Sequence, residues 1–562
     1  MRSITGHKPS GSQTIGGGTE RANELNLFFN RFDERAPDYP SPSSSTTIHL
    51  QTSSPAAHPP FLPDYTLPVL SPPPSPLPTP FNTHGRQTFT AEQVRKELCR
   101  LRPGKAAGPD GVSPRVLKTC ATQLSGVLQH IFNLSLSLER VPVLWKTSCL
   151  VPVPKKARPS ILNDYRPVAL TSHLMKSLER LVLSLLRPLA SSSLDPLQFA
   201  YQPRLGVEDA IIFLLHRACA HLDSPGSTVR ILFLDFSSVF NTIRPALLGS
   251  KLTAMQVDPP LVSWITDYLT GRPQYVGLQD GVSDTVVSST GAPQGTVLSP
   301  FLFSLYTSDF QFLSESCHLQ KFADDSAIVG CVSEGKEEEY RSVVDSFIEW
   351  CATNHLLINP TKTKELVVDF RRRKSAPTTI SINGVTVDVV QDYKYLGVFL
   401  DNKLDWAKNT EAVYKKGQSR LYFLRKLRSF KVCDIMLRMF YQSMIASAIF
   451  FAVVCWGSRL RAADARKISR IIRKAGSILG VQLDSLVVVS ERRMLCILHN
   501  ILDNNAHPLH QVLTSSRSTF SNRLILPRCN TERQRYSFLP VAIRLFNAST
   551  FGCRRDRGDT MP

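Results

Sequence analysis

Two neighbouring aspartates, Asp324 and Asp325, stand inside the otherwise apolar stretch KFADDSAIVG. A third aspartate, Asp235, follows the apolar run ILFL, far away in the chain. Carboxylates gathered at strand ends cannot all stay ionised without a counter-charge. Mg²⁺ supplies that charge, and two such ions can activate a hydroxyl and stabilise a leaving oxygen. The aspartates therefore favour metal-dependent phosphoryl transfer; the alternative is a β-turn with two exposed aspartates.

Apolar strands must position these carboxylates. The run TVRILFLDF is rich in β-branched and aromatic residues, and it predicts a central strand that ends at Asp235. Further strands are predicted at ELVVDF and YKYLGVFL, and helices at 207–218, at 340–351 and after the capping residue Thr90. From about residue 410 the pattern is helical and basic. This order predicts a mixed α/β core with a helical extension.

The bulk composition points to a polyanionic partner. The chain has 562 residues and a formal net charge of +20, which predicts attraction to nucleic acid. Its 12 cysteines are scattered singly, without the C-x-x-C spacing of a zinc site. The amino terminus lacks the apolar core of a signal peptide, and the apolar run Met444–Trp456 is too short for a bilayer and predicts a buried helix. We expect a soluble protein of the nucleus or cytoplasm.

Several further motifs occur in a fixed order from about residue 90 to residue 550. Together with the aspartate motifs they resemble the reverse transcriptase of a LINE-type, non-LTR retrotransposon. The motifs that carry the resemblance are KAAGPDGVSPRVLK, VPVPKK, NDYRPVALTS, QFAYQPRLGVEDAI, LDFSSVFNTI, GAPQGTVLSPFLFSLYTSD, KFADDSAIVG, NHLLINPTKTKELVVDF and YKYLGVFLD.

The resemblance implies an α+β right-hand polymerase, with fingers, a palm built on an antiparallel sheet, a helical thumb and a helical carboxy-terminal extension. Fingers and palm are expected at 135–405, with an upstream fingers extension from about 90, and the thumb and extension at 406–550. Residues 551–562 would be a basic tail. Residues 36–88 are rich in Pro, Ser and Thr and predict a disordered linker. Residues 1–35, with one short helix, resemble the joint to an endonuclease that the chain is expected to lack.

The resemblance implies a catalytic, metal-binding triad of Asp235, Asp324 and Asp325. Asp235 and Asp324 would hold both ions, and the backbone carbonyl of Phe236 could add a ligand. The expected cofactor is Mg²⁺, two ions, with Mn²⁺ as the substitute. The expected partners are an RNA template, a DNA primer and deoxynucleoside triphosphates, without a membrane; protein partners are unknown.

Other residues of the motifs are expected to handle the nucleotide. Phe240 would crowd a 2′-hydroxyl and so favour deoxynucleotides. Gln294 and Gly295 would lie under the incoming nucleotide and the template base. Arg166 and Lys155 would grip the triphosphate, because a guanidinium fork suits phosphate oxygens. The alternatives are that Phe240 is an ordinary core phenylalanine and that Gln294 and Gly295 form a surface turn. For Arg166 and Lys155 the alternative is a solvated basic loop.

Three assignments carry alternatives. Lys156 is adjacent to Lys155 and competes for the same role. Lys362 would be a proton donor to the leaving pyrophosphate, with Lys364 as its competitor. The turn Tyr395, Leu396, Gly397 resembles a primer-grip hairpin, for which the alternative is an ordinary edge hairpin.

The chain also departs from the family pattern. Val239 stands where a small alanine is usual, beside the nucleotide gate, where it would crowd the nucleotide. QPRLGVEDA differs from the usual Arg-rich form, and no Cys/His knuckle follows the thumb. One rival hypothesis is therefore a domesticated or decayed nucleic-acid-binding protein without catalysis. Another is an RNA-copying RNA polymerase, which shares the paired aspartates.

Overall fold

The computed structural model describes residues 18–33, 88–372, 378–518 and 523–555. Within those ranges strands and helices are mixed up to residue 401, and every later named element is helical. All but the last residue of the linker predicted at 36–88 lies outside the described residues, as does the end of the predicted basic tail.

The described strands form two larger sheets and two small hairpins. In chain order they are β1 (Ser148–Pro154), β2 (Tyr165–Leu170), β3 (Thr228–Leu234), β4 (Arg272–Val276), β5 (Val286–Ser288), β6 (Cys317–Phe322), β7 (Asp325–Val332), β8 (Lys364–Asp369), β9 (Ser381–Ile382), β10 (Val385–Thr386), β11 (Asp388–Val390), β12 (Asp392–Tyr395) and β13 (Val398–Asp401).

The described helices surround these sheets and make up the carboxy-terminal part. They are α1 (Gly18–Phe29), α2 (Ala91–Cys99), α3 (Pro114–Thr119), α4 (Ala121–Ser137), α5 (Val143–Lys146), α6 (His173–Ala190), α7 (Val207–His221), α8 (Pro245–Ala254), α9 (Pro259–Leu269), α10 (Ser299–Tyr306), α11 (Glu338–Thr353), α12 (Ala407–Ser429), α13 (Asp434–Phe440), α14 (Ser447–Ile449), α15 (Val453–Trp456), α16 (Ala462–Leu479), α17 (Leu486–Leu502), α18 (His510–Ser515), α19 (Glu532–Arg535) and α20 (Phe538–Arg555).

The larger sheet, called here the central sheet, has the strand order β11-β8-β3-β7-β6. Strand β3 lies in its middle and pairs antiparallel with both β7 and β8. All seven residues of β3 are buried, as expected for a β-branched and aromatic run packed on both faces. The predicted central strand is thus confirmed, and it ends one residue before Asp235.

A buried charge network crosses the central sheet at Arg230 of β3. Its guanidinium makes two hydrogen bonds of 2.8 Å to the carboxylate of Glu365 on β8, and it is also paired with Glu337. The hydroxyl of Tyr340 donates to the same Glu365 at 2.7 Å. A buried arginine is tolerable only when it is paired in this way, and removing one partner would leave an uncompensated charge.

The second sheet, called here the side sheet, has the strand order β2-β1-β4-β5. Strand β1 pairs antiparallel with β2 and parallel with β4. The helix predicted in the amino-terminal segment is present as α1, and its residues Ala22, Leu25 and Phe29 are buried against the side sheet. Apolar burial therefore joins this segment to the sheet across a large distance in sequence.

The helix expected after Thr90 is confirmed as α2, which begins with a capping box between Thr90 and Gln93. The helices expected at 207–218 and 340–351 are α7 and α11. YKYLGVFL, expected to be strand, is a hairpin of β12 and β13, because Leu396 and Gly397 have positive φ angles of 46° and 90° and form a tight turn.

The apolar run Met444–Trp456 differs from the single buried helix expected. Its helix breaks before α15, where Ala452 has a left-handed φ of 48°. The whole helical stretch Asp434–Arg459 is long and apolar enough to cross a membrane, by length and composition alone. More than half of an apolar 18-residue window in this stretch is buried inside the protein, and Ile445, Ile449 and Trp456 belong to the hydrophobic core. A buried core helix passes the same length test, so this stretch gives weak evidence for a membrane.

Candidate functional site

The strand pairing brings the distant aspartates together. The ladder between β3 and β7 pairs Leu234 with Ser326, so the next position outward places Asp235 opposite Asp325. Asp324 lies on the two-residue turn between β6 and β7, where Phe322 pairs with Asp325. The predicted triad therefore lies at one end of the strands of the central sheet. Asp235 follows the last residue of β3, and Asp324 and Asp325 lie at the tip of the β6–β7 hairpin.

A buried glutamine outside the predicted site residues, Gln198, supports this hairpin tip. Ala323, with a φ of 56°, donates its backbone N–H to Oε1 of Gln198 at 2.9 Å. Gln198 also accepts from the N–H of Ala200 at 3.1 Å. Its position in QFAY, inside a recognised motif, was the only available signal. Gln198 thus fixes the turn that presents Asp324.

The three carboxylates influence one another electrostatically. Burial, together with the charges of Asp324 and Asp235, raises the pKa of Asp325 to about 6, while Arg166 opposes the rise. Burial also raises the pKa of Asp324, with a smaller contribution from Asp235. Both side chains reach solvent, but the protein surrounds them on most sides and displaces much of their hydration. The charges of Asp235 and Asp324 therefore disfavour ionisation of Asp325, and a bound cation would relieve this repulsion.

Asp235 is held by its backbone while one of its carboxylate oxygens has no hydrogen-bond donor. Its carbonyl accepts from the N–H of Asn359 at 2.8 Å, and its N–H donates to Oγ1 of Thr363 at 3.3 Å. Oδ2 is buried without a hydrogen-bond partner. An acceptor buried in this way fits a cation ligand. Within the described ranges, however, no three Asp, Glu, His or Cys side chains are already drawn together at metal-binding spacing.

Phe236 continues the backbone from Asp235 and bridges Ile358 in antiparallel fashion. The hydrogen bonds of that bridge use the carbonyl of Asp235 and the N–H of Ser237. The carbonyl of Phe236, named from the sequence as a further ligand, therefore takes no part in them.

The structure separates the competing lysines. The ammonium of Lys362 lies 3.6 Å from Oδ2 of Asp235, whereas Lys364 pairs with Asp388 at 2.6 Å.

Lys156 pairs with Asp164 at 2.8 Å. Lys155 donates to the carbonyl of Asn163 at 2.7 Å, and its pKa is lowered by burial and then by three other cations, Lys362, Arg166 and Arg31. Lys362 is thus the member of its pair that lies beside an aspartate of the triad, while Lys155 lies within the electrostatic reach of Lys362, Arg166 and Arg31.

Phe240 lies in a single 3₁₀ turn, Val239–Asn241, just beyond Asp235. Its ring is partly buried and packs against Phe303, with the centroids 4.9 Å apart. The expectation for Val239 needs correction. Only 3% of Val239 is exposed, because its side chain points into the core, so the structure does not place its bulk in the path of a nucleotide.

Gln294 and Gly295 join this turn to the side sheet. The carbonyl of Gln294 accepts from the N–H of Ala169 on β2 at 2.7 Å, and its side-chain amide lies 3.4 Å from Oδ1 of Asn241. Gly295 has a φ of +108°, and a Cβ there would lie 3.1 Å from the carbonyl oxygen of Ala169. Glycine is required at 295 for both reasons.

The hairpin predicted as a primer grip lies beside the central sheet. Tyr395 is almost completely buried, and its hydroxyl accepts from Nε2 of Gln320 at 2.9 Å. Its side chain therefore supports the hairpin from inside, and of the three predicted residues only Leu396 and Gly397 reach the surface. The ring of Tyr393, which sequence reasoning missed, stacks on Phe233 at 4.1 Å. Burial raises the pKa of Tyr393 to about 12, with contributions from Asp325 and Asp235, so this hydroxyl lies near the triad.

Comparisons with known proteins agree with this arrangement. Residues 153–400 match the family described as reverse transcriptase (RNA-dependent DNA polymerase), which implies a polymerase palm-and-fingers fold. Residues 406–447 match a model described as alkylated DNA repair protein alkB homolog 8, N-terminal; this match covers α12 and the start of the following helices.

Similar curated proteins come from mobile elements. The chain is 25% identical over 410 residues to the RNA-directed DNA polymerase from mobile element jockey of Drosophila melanogaster, covering 68% of this chain and 44% of that protein. It is 26% identical over 391 residues to the jockey polymerase of Drosophila funebris, covering 66% and 42%. It is 25% identical over 354 residues to the probable RNA-directed DNA polymerase from transposon X-element of Drosophila melanogaster, covering 61% and 38%. The chain spans less than half the length of these relatives.

Proposed function

We propose that this chain, which carries a reverse transcriptase domain of the non-LTR retrotransposon type, is an RNA-directed DNA polymerase. In the proposed reaction a primer 3′-hydroxyl attacks the α-phosphate of a deoxynucleoside triphosphate that is paired with an RNA template. A new P–O bond forms, the bond to the bridging oxygen breaks, and pyrophosphate leaves. The observation that carries the proposal is the placement of Asp235 opposite Asp325, with Asp324 at the adjoining hairpin tip.

The donor set at this edge fits divalent metal ions, Mg²⁺ in the first place. Hard carboxylate oxygens are its preferred protein ligands. Oδ2 of Asp235, which accepts no hydrogen bond and lies 3.6 Å from the ammonium of Lys362, is one such oxygen. Asp235 and Asp324 would hold two ions, with Asp325 and the carbonyl of Phe236 as further oxygen donors. Bound there, the ions would lower the pKa of the primer hydroxyl and neutralise charge on the leaving oxygen.

The cations opposite the triad would bind the triphosphate. Arg166, exposed on β2, lowers the pKa of both Asp324 and Asp325 by its charge and therefore lies within reach of the same space. Lys155 lies on the loop that leaves the neighbouring strand β1. Lys362, whose ammonium is near Asp235, would give a proton to the departing pyrophosphate.

Phe240, Gln294 and Gly295 would select and seat the nucleotide. The turn that carries Phe240 begins four residues after Asp235, so its partly exposed ring can oppose a 2′-hydroxyl. Gln294 and Gly295 tie this turn to β2, which carries Arg166. One set of hydrogen bonds therefore couples the sugar-facing and phosphate-facing sides of the site.

We further propose that the side sheet belongs to the fingers, the central sheet to the palm and helices α12–α20 to the thumb and its extension. Helix α16 buries Ile468, Ile471 and Ile472 and exposes basic side chains. The exposed basic residues of α16 are Arg466, Lys467, Arg470, Arg473 and Lys474. Such a face would follow the sugar–phosphate backbone without reading sequence and would weaken with salt.

The test is primer extension on an RNA template with Mg²⁺, comparing the wild type with Asp324→Ala. If the chain is a polymerase, the wild type extends the primer and Asp324→Ala does not, while both forms bind the primer–template equally. The rival, a decayed nucleic-acid-binding protein, binds in both forms and extends in neither. Failure of the wild type to extend under conditions where it binds would overturn the proposal.

A further inference from the structure

The amino-terminal segment 18–33 reaches the site described above. Helix α1 packs its apolar face on the side sheet, and Asn26 donates to the carbonyls of Gln274 at 3.3 Å and Asp284 at 2.9 Å. Gln274 returns a hydrogen bond to Oδ1 of Asn26 at 3.2 Å. A buried amide with both of its groups satisfied gives a specific docking geometry. The orientation of the residues after α1 is therefore set by the sheet.

Arg31 follows this helix and points at the strand end of the triad. One Nη of its guanidinium donates to Oγ of Ser238, three residues beyond Asp235, at 3.2 Å. The other donates to the carbonyl of Phe28 at 2.6 Å. The guanidinium carbon lies 3.8 Å from the ring centroid of Phe28 and 4.2 Å from that of Phe32. Two aromatic faces and two acceptors thus orient the fork.

Arg31 belongs to a group of cations whose charges act on Lys155. Its charge, with those of Lys362 and Arg166, acts on Lys155, whose pKa is lowered first by burial and then by these neighbours. Four like charges from four separate segments thus meet within electrostatic reach of Lys155. Such a cluster repels itself and is stabilised by a polyanion bound among its members.

We propose that Arg31 binds the phosphates of the incoming deoxynucleoside triphosphate, and that segment 18–33 is therefore a working part of the polymerase site. This proposal rests on the proposed function. Ser238 lies on the turn between Asp235 and Phe240, so Arg31 borders the space between the metal-binding carboxylates and the nucleotide gate. Phe29, Asn30, Phe32 and Asp33, the chain neighbours of Arg31, line one cleft together with Asn241 and Gln294.

A triphosphate fits this position better than a nucleic-acid backbone does. Arg31 contacts Ser238, three residues after Asp235, and Lys362 lies 3.6 Å from the Asp235 carboxylate. A bound duplex needs cations spaced along a strand instead. The exposed basic residues of α16 have such a spacing, but Arg31, Lys155 and Arg166 do not. Contact with template or primer phosphates is the alternative that the experiment must exclude.

The experiment uses the full chain and the variants Arg31→Gln and Arg31→Lys, with Arg21→Gln as the matched control. Arg21 lies on helix α1, ahead of Arg31, and forms an i,i+3 ion pair with Glu24. We would measure the affinity of dTTP with Mg²⁺ for a complex with a chain-terminated primer on an RNA template. The affinity for the primer–template alone and the thermal melting curve would be measured in parallel.

Arg31→Gln is expected to weaken dTTP binding about tenfold or more, as for loss of a charged hydrogen bond. Arg31→Lys should lose less, since it keeps the charge but not the fork. Primer–template affinity and melting should stay at the wild-type values, and Arg21→Gln should match the wild type throughout. Unchanged dTTP affinity in Arg31→Gln, or weakening confined to the primer–template, would overturn the assignment.

A second measurement separates this proposal from the proposed function. Inorganic tripolyphosphate can be titrated into the full chain without nucleic acid. If the wild type does not extend primers but Arg31→Gln binds tripolyphosphate about tenfold more weakly, the phosphate site stands while the polymerase assignment falls. Equal binding of tripolyphosphate by both forms would overturn the role of Arg31 whether or not the chain polymerises.

Discussion

The ammonium nitrogen of Lys362 lies 3.6 Å from Oδ2 of Asp235, close enough for direct electrostatic attraction. Lys364, two residues further on, is instead held by Asp388 and by the carbonyl of Thr361, both at 2.6 Å. The chain thus offers two lysines in almost the same sequence context, one facing the triad and one engaged elsewhere.

Lys362→Ala is expected to slow nucleotide incorporation about 100-fold, because the leaving pyrophosphate loses its proton donor. Lys364→Ala serves as the matched control and should incorporate at nearly the wild-type rate. Single-turnover primer extension at saturating nucleotide measures both. Equal losses in the two variants would contradict the assignment of Lys362.

Mg²⁺ is expected to raise the melting temperature of the wild type, and chelation should reverse the effect, since a cation relieves repulsion among the three carboxylates. Asp325→Asn should melt higher than the wild type without metal and respond less to Mg²⁺. Asp280→Asn, which removes an equally exposed charge outside the site, is the control. A wild type that melts identically with and without Mg²⁺ would count against metal binding here.

Phe240→Ala is expected to admit ribonucleotides, lowering the preference for dTTP over UTP in kcat/KM about tenfold or more. Val239→Ala is the companion variant. Its side chain is buried in the core, so it should lose stability without changing the preference. If the wild type already uses both nucleotides equally, the gate assignment is wrong and the RNA-copying rival gains support.

Gly295→Ala is expected to lose most polymerase activity. The substitution both forces alanine into a left-handed conformation and pushes Cβ towards the carbonyl of Ala169, which should displace the loop that carries Gln294. Gly226→Ala carries the same kind of backbone strain at a φ of +79°, with nothing within 4 Å of the added carbon. It should reduce stability by about 1 kcal/mol and keep activity. Similar activities in the two variants would show that the contact with Ala169 is unimportant.

His318 predicts a loss of stability in acid. Burial lowers its pKa to about 3, and the charge of Arg217 adds to the effect. Because the unfolded histidine takes up a proton near pH 6.5, the folded state loses stability as the pH falls below that value. The loss should reach about 2 kcal/mol from this residue at pH 5. His318→Gln should show a correspondingly smaller drop in denaturant unfolding free energy between pH 7.5 and pH 5; His216, with a pKa lowered to about 4 by burial, retains its own share.

Local sequence was sufficient to predict the elements that carry the triad. The β3 run is recognisable because all of its residues suit a buried central strand, and Asp235 stands out as the first carboxylate after it. The hairpin at Asp324 and Asp325 is recognisable from two charges between apolar runs. The convergence of these two sites depended on the ordered motifs, because strand pairing between distant segments leaves no mark in either segment alone.

Other features were beyond local reasoning. Lys155 and Lys156 have the same chemistry, and only the position of Asp164 separates them. The break at Ala452 follows from tertiary packing, since nothing in MIASAIFFAVVCW disfavours a continuous helix. The sequence does not point to Arg31, because its hydrogen-bond acceptor Ser238 and its neighbouring cation Lys155 are remote in the chain. A short amphipathic helix also does not reveal which sheet it will cover.

The ion pair between Arg230 and Glu365 has a consequence for how the protein reaches its active form. Shifting β3 by one residue against β8 would turn Arg230 to the opposite face of the sheet and leave two unpaired charges in the apolar interior. Misaligned pairings are thus penalised five residues before Asp235, within the same strand. The ion pair therefore disfavours compact states in which β3 is in the wrong register and Asp235 is misplaced relative to Asp324 and Asp325. Replacing Arg230 with Met and Glu365 with Leu should give a mixture of strand registers, even if the variant gains thermal stability.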